Sequence, residues 1–193
     1  MSGLTESHLA MLASGAYETP DISHEIAQRI SPDWGVDREL SDQHSTVYRN
    51  ENTKHTVISF RGTKDSNDLK TDALTFLGFG NKSKRFKDSN ALTDRVISKY
   101  GRDNLELSSH SLGANINTNV AKNKGLPATN FSKGRTLIPL RNASGEKNIR
   151  AIGDPLSGNA VIPSAFSLPN LLLGTGRIPS FGKGHTHSLN QFI

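Results

Sequence analysis

The stretch "NLELSSHSLGAN", Asn104 to Asn115, limits most strongly what this chain can fold into. Leu105 and Leu107 alternate as in a strand, and Leu112, Ile116 and Val120 then recur four residues apart as on a helix. The polypeptide therefore passes from extended to helical within "SHSLG", with Ser111 at the corner. A strand that runs straight into a helix buries its apolar residues by packing helices onto a sheet, which points to α/β architecture.

The same alternation recurs along the chain. Thr5 is placed to cap a helix carrying Leu9, Leu12, Ala13 and Ala16, and Ile22, Ile26 and Ile30 form an apolar stripe after Asp21. "STVYRN" and "KHTVISF", with turn-like composition between them, read as a hairpin or two neighbouring strands. Phe86, Leu92, Val96, Ile97 and Tyr100 define a long amphipathic helix closed by Gly101. "ATNFS" is a short strand candidate, "NIRAIGD" another that delivers Asp154 just past its end, and "HSLNQFI" a final helical turn packed by Leu189 and Phe192. With no internal repeat, this order predicts a single α/β domain over residues 1–193, with a mostly parallel central sheet and helices on both faces. In such sheets chemistry gathers at the carboxyl ends of the strands. Gly62 and Thr63 follow one predicted strand, Ser111 a second and Asp154 a third.

Composition narrows the choice of partners. Hydrophobic residues make up 34% and charged residues 21%, grouped into periodic segments as in a folding chain. The absence of cysteine excludes disulfides, thiolate metal sites and a cysteine nucleophile. A net charge of +5 favours anionic partners. Its densest cluster is "NKSKRFK", where Lys82, Lys84, Arg85 and Lys87 are expected to form a solvated basic face or, secondarily, a contact with an anionic membrane. Aromatic residues are sparse and none of the standard nucleic-acid signatures is present, so nucleic acid is not the expected partner. "MSGLTESHLAML" lacks the basic start and long apolar centre of a secretory signal, and no apolar run approaches the roughly 18 residues of a membrane span. The expectation is a soluble, unprocessed, cytoplasmic chain.

The corner itself carries a chemical reading. A serine hydroxyl is a weak nucleophile until a base lies within hydrogen-bond reach, an acid holds that base, and amide donors await the oxyanion. A turn between strand and helix projects the serine from the sheet edge and aims the first helix amides at the developing charge. The Leu112 amide and a group near Thr63 are the expected donors. The small residues Ser109 and Gly113 let strand and helix approach.

"VISFRGT", "SSHSLGA", "GDPLS" and the terminal "HSLNQF", in this order, resemble the lipase class 3 family of α/β-hydrolases over roughly residues 45–193. The resemblance implies a compact α/β-hydrolase fold and a serine hydrolase of lipid esters, a lipase or phospholipase, that needs no cofactor. It implies Ser111 as nucleophile, Asp154 as acid, His187 as base, and Thr63 with Leu112 as the oxyanion hole. Similar compact chains occur in DNA viruses and phages, which adds a virion to the expected locations. Two positions depart from the family pattern: Ser109 stands for the glycine before His-Ser, and Ala114 for the second glycine after it. Each adds a Cβ at a crowded turn, an expected strain of about 1 kcal/mol. These departures favour a second reading, a catalytically silent lipase-like module that binds a membrane or a protein.

Several roles stay open at this level. Asp72 and Asp94 compete with Asp154 for the acid, and His185 competes with His187 for the base, since two residues apart on an extended segment face opposite sides. His185 and His187 have no clustered third ligand, so no metal site is expected. His110 is expected to pack within the elbow, and Arg61 to pair with Asp72 beside the oxyanion loop. "LPNLLLGTGRIPSFG" is either a flap over an acyl groove or core packing.

Overall fold

Side chains that alternate between the two faces of almost continuously buried strands, met by one face of each packed helix, produce two cores, one on each side of a sheet. The computed structural model describes residues 4–62, 83–134, 141–150, 189 and 192–193. In chain order the described elements are α1 (Glu6–Gly15), α2 (Pro20–Gln28), β1 (Trp34–Val36), β2 (Ser45–Asn50), β3 (Thr56–Phe60), α3 (Lys84–Tyr100), β4 (Leu105–His110), α4 (Gly113–Lys124), β5 (Ala128–Phe131) and β6 (Glu146–Ile149).

The strands lie in the sheet in sequence order. β1–β2 and β2–β3 pair antiparallel, and β3–β4, β4–β5 and β5–β6 pair parallel, so among the described strands β2 alone runs against the rest. Val47, Ile58, Phe60, Leu105 and Leu107 face α3 and α4, whose Phe86, Leu92, Val96, Ile116 and Val120 complete the first core. Tyr48, Val57 and Phe131 face the other way, onto Leu9, Leu12 and Ala13 of α1 and Ala27 of α2. Burying each of the large apolar side chains contributes about 1.5–3 kcal/mol. The expected mostly parallel sheet covered on both faces is therefore present.

Local chemistry explains the element ends. The Thr5 side chain accepts from the His8 amide at 3.2 Å while His8 Nδ1 accepts from the Thr5 amide at 3.3 Å, a reciprocal cap on α1. Gly101, with φ 79°, closes α3 and donates to the Ile97 carbonyl at 2.8 Å. Leu189 is buried in the second core, and Phe192 packs on Phe131 with ring centroids 5.2 Å apart and planes tilted by 48°, the packing expected of these two residues.

Three expectations need correction. The stripe Ile22, Ile26, Ile30 is buried only in part: Ile30, past the end of α2, packs against the second core and Ile26 is half-buried, but Ile22 is 43% exposed, while Ser23 and Ala27 face inward. At the inner position α2 comes close to α1: Ser23 Oγ donates to the Gly15 carbonyl at 2.7 Å, and a Cβ on Gly15 would lie 3.6 Å from Ser23 Cα. Arg85 does not belong to a solvated basic face. It is buried, and its guanidinium donates to the Arg61 carbonyl, whereas Lys84 and Lys87 are exposed. The strand expected at "NIRAIGD" begins earlier than expected, at Glu146, and spans Glu146–Ile149, while residues 151–154 of that stretch lie outside the described residues.

Candidate active site

β4 ends at His110 and α4 begins at Gly113, so Ser111 and Leu112 turn the chain. Ser111 adopts φ 57°, the left-handed region that a side chain rarely enters. Such a residue costs about 1–3 kcal/mol and persists only where its surroundings over-determine it. Here its amide donates to the Phe131 carbonyl at 3.1 Å, and its carbonyl accepts from the Ala114 amide at 3.1 Å and the Gly134 amide at 2.9 Å. This is the backbone geometry of a nucleophile elbow. Leu112 is the N-cap of α4, and no side chain caps the helix. The Ala114 and Asn115 amides donate to the Ser111 and Leu112 carbonyls, which leaves Leu112 and Gly113 as the head amides without an intrahelical acceptor.

The end of β3 meets the elbow directly. Phe60 is opposite Ser109, which brings Gly62 level with Ser111. A Cβ on Gly62 would lie 3.0 Å from Ser111 Cβ, and one on Gly113 would lie 2.4 Å from the Phe60 carbonyl oxygen. Tyr17, just past α1, joins the two strand ends: its hydroxyl accepts the Gly62 amide at 2.7 Å and shares a 3.0 Å hydrogen bond with His110 Nδ1. His110 is thus turned toward α1, in the packing role expected of it. Nothing local in the sequence marks Tyr17, because its partners lie 45 and 93 residues away. Tyr17→Phe should leave the fold intact and lower kcat/KM on a soluble ester about tenfold, the equivalent of one neutral hydrogen bond. Equal rates for the two proteins would remove Tyr17 from the site.

The two departures at the elbow are accommodated without backbone strain, since neither Ser109 nor Ala114 has positive φ. Ser109 Oγ donates to Asn130 Oδ1 at 2.6 Å, and Ala114, in the first turn of α4, is fully buried. Asn130 is satisfied at every position: its Oδ1 also accepts from Asn117 Nδ2 at 2.7 Å, and its Nδ2 donates to Glu146 Oε1 at 2.8 Å and Asn148 Oδ1 at 3.0 Å. Glu146, whose side chain is wholly buried, pairs with Lys133 at 2.7 Å. Burial pushes the Glu146 carboxyl up, but hydrogen bonds from Lys133 and the Ala143 amide prevail and hold it below its ordinary value. Burial pushes the Lys133 ammonium down, against the opposing pull of Glu146.

The family model of the Tle-like phospholipase domain matches residues 8–136, two thirds of the 193-residue chain. The chain belongs to the Tle-like phospholipase family. Among solved structures, the crystal structure of Lip2 lipase from Yarrowia lipolytica is similar at 18% identity and a TM-score of 0.40, covering 65% of this chain and 57% of that one. The chain thus spans little more than half the length of that lipase. Among curated proteins none matches.

Within the phospholipase-like match lie Tyr17, Gly62, Ser111, Leu112 and the turn after β5. Of the residues singled out from the sequence, Ser111 and Leu112 stand at the elbow, while Thr63, Asp72, Asp154, His185 and His187 lie outside the described residues, as does the flap candidate at 168–182. Asp94 is drawn away from the site: it is exposed on α3 and pairs with Lys124, at the far end of α4 from Ser111, at 2.6 Å. Arg61 is buried, with its Nε donating to the Gln43 carbonyl at 2.5 Å. Among the described residues no group of three potential ligands could hold a metal ion, and no helix is long and apolar enough to cross a membrane.

Proposed function

We propose that this domain hydrolyses carboxylic esters of lipids, phospholipids foremost, through a serine acyl-enzyme. The observation that carries the reading is Ser111 at φ 57°, raised between β4 and the uncapped head of α4. Ser111 Oγ attacks the ester carbonyl while His187 takes its proton, and Asp154 orients the imidazole and stabilises its positive form. The oxyanion settles between the Leu112 amide and Thr63, each donor contributing about 3–4 kcal/mol to the transition state. His187 then protonates the departing alcohol. Water, deprotonated by the same imidazole, releases the fatty acid and restores Ser111. The chemistry calls for no cofactor. A silent lipase-like module is the second reading, motivated by Ser109 and Ala114; the absence of positive φ at either position and the hydrogen bond from Ser109 to Asn130 support the catalytic reading over it.

Exposed Lys87, beside Lys84 in its ion pair with Asp88 at 2.6 Å, adds basic charge that suits an anionic bilayer. A fluorophosphonate should add one adduct per chain, mapped by mass spectrometry to the Ser111 peptide. Vesicles of anionic phospholipid should be hydrolysed faster than neutral ones, with the difference shrinking in high salt. No adduct on Ser111 would end the serine-hydrolase reading, and equal, salt-independent rates would end the membrane preference.

A further inference from the structure

We infer that the ion pair of half-buried Lys133 with the buried Glu146 side chain is a clamp on the nucleophile elbow, which makes both residues positioning residues for Ser111; as a catalytic role this rests on the hydrolase reading above. The link is the turn Ser132–Gly134, which follows β5 and lies against the elbow. The Gly134 amide donates to the Ser111 carbonyl at 2.9 Å, and the Gly134 carbonyl accepts from Asn115 Nδ2 of α4 at 3.0 Å. The backbone fit is close: a Cβ on Gly134 would lie 3.0 Å from the Leu112 nitrogen and 3.1 Å from the Ser111 carbonyl carbon. The turn therefore borders both the nucleophile and its expected oxyanion amide.

That turn is itself strained. Ser132 has φ 45°, is fully buried, and its hydroxyl has no hydrogen-bond partner. Ser111 and Ser132 are thus neighbouring strand tips, both in the left-handed region, and something must hold the pair. Lys133, between Ser132 and Gly134, commits all three ammonium protons: to Glu146 Oε1 at 2.7 Å, to Thr118 Oγ1 of α4 at 2.6 Å and to Asn142 Oδ1 at 3.2 Å. Glu146 is fixed in turn by the Ala143 amide at 2.7 Å and by Asn130, which also receives Ser109 from the strand leading into the elbow. An apolar pair of equal volume would hold the fold as well or better, since taking two charges out of water offsets most of their attraction. What the ions add is direction. They pin the turn to β6 and α4 at once, and through Gly134 they pin the elbow.

The test compares Lys133→Met, Lys133→Arg and, as a remote control, Asp37→Asn, which weakens a different polar cluster where Lys99 and Tyr100 donate to Asp37. Amide exchange followed by NMR should accelerate about tenfold or more in Lys133→Met at Ser111 and Gly134, but not at Tyr48 or Val57. Fluorophosphonate labelling of Ser111 and kcat should fall about tenfold with KM unchanged, as for a slightly misplaced nucleophile. Lys133→Arg should recover most of the rate, and Asp37→Asn should leave it unchanged. Wild-type exchange at Ser111 and Gly134 in folded Lys133→Met would overturn the clamp, as would an equal loss of labelling in Asp37→Asn. Should Lys133→Met fail to fold, Lys133→Met combined with Glu146→Gln carries no lone buried charge and gives the same readings; failure of both to fold would make the pair a fold determinant and overturn the positioning role. A wild type that takes no label defeats the hydrolase reading, while the exchange measurement still decides the clamp.

Discussion

Ser111→Ala should lower kcat on a lipid ester by about a millionfold, the scale of removing the nucleophile from a group that acts as a unit. The residual rate should stay above that of water, because the amides at the head of α4 remain. The same position also tests the backbone. With φ 57°, Ser111 stores strain that a side chain pays and glycine does not. Ser111→Gly should therefore be as inactive as Ser111→Ala yet melt about 2–4 °C higher than it, the shift expected for about 1 kcal/mol in a chain of this size. Calorimetry of the two variants beside an ester assay checks both halves. Equal melting temperatures would mean that the elbow is unstrained in solution, and retained turnover in either variant would take the nucleophile away from Ser111.

Gly113→Ala should cost about 3 kcal/mol or more and remove activity with it. A Cβ there would meet the Phe60 carbonyl oxygen at 2.4 Å and the Arg61 carbonyl carbon and oxygen at 2.7 Å. All three are backbone atoms at the end of β3, so no side chain can swing aside; the head of α4 must move away from the sheet. That displacement would take the Leu112 amide and Ser111 out of line together. Gly145→Ala is the fitting comparison: Gly145 has φ 75° but open space around it, so it should cost only about 1 kcal/mol of backbone strain. Denaturant unfolding of the two variants separates collision from conformation. A Gly113→Ala protein as stable as Gly145→Ala would contradict the close approach of β3 and α4.

Features that depend on neighbours along the chain were legible without coordinates. The Thr5 cap, the β2–β3 hairpin, the α3 stripe ending at Gly101 and the corner at Ser111 each follow from residues a few positions apart. Periodicity misled where a close approach reversed it, as when Ser23 rather than Ile22 turned inward on α2. Charge counting misled at Arg85, because a guanidinium can leave the surface when a backbone carbonyl such as that of Arg61 receives it. Tyr17, Lys133 and Glu146 carried no signal that would distinguish them from any other tyrosine, lysine or glutamate.

The amino-acid order alone determined the alternation of strand and helix, the sheet class and the serine at the turn, since these depend on short-range periodicity and turn sterics. Only the tertiary structure decided what holds that serine in place: a phenol from the end of α1, a turn after β5 and a largely buried ion pair reaching β6. Such partners are chosen by which surfaces meet when remote segments pack, and by the cost of leaving a buried polar group unpaired, neither of which is written in local sequence.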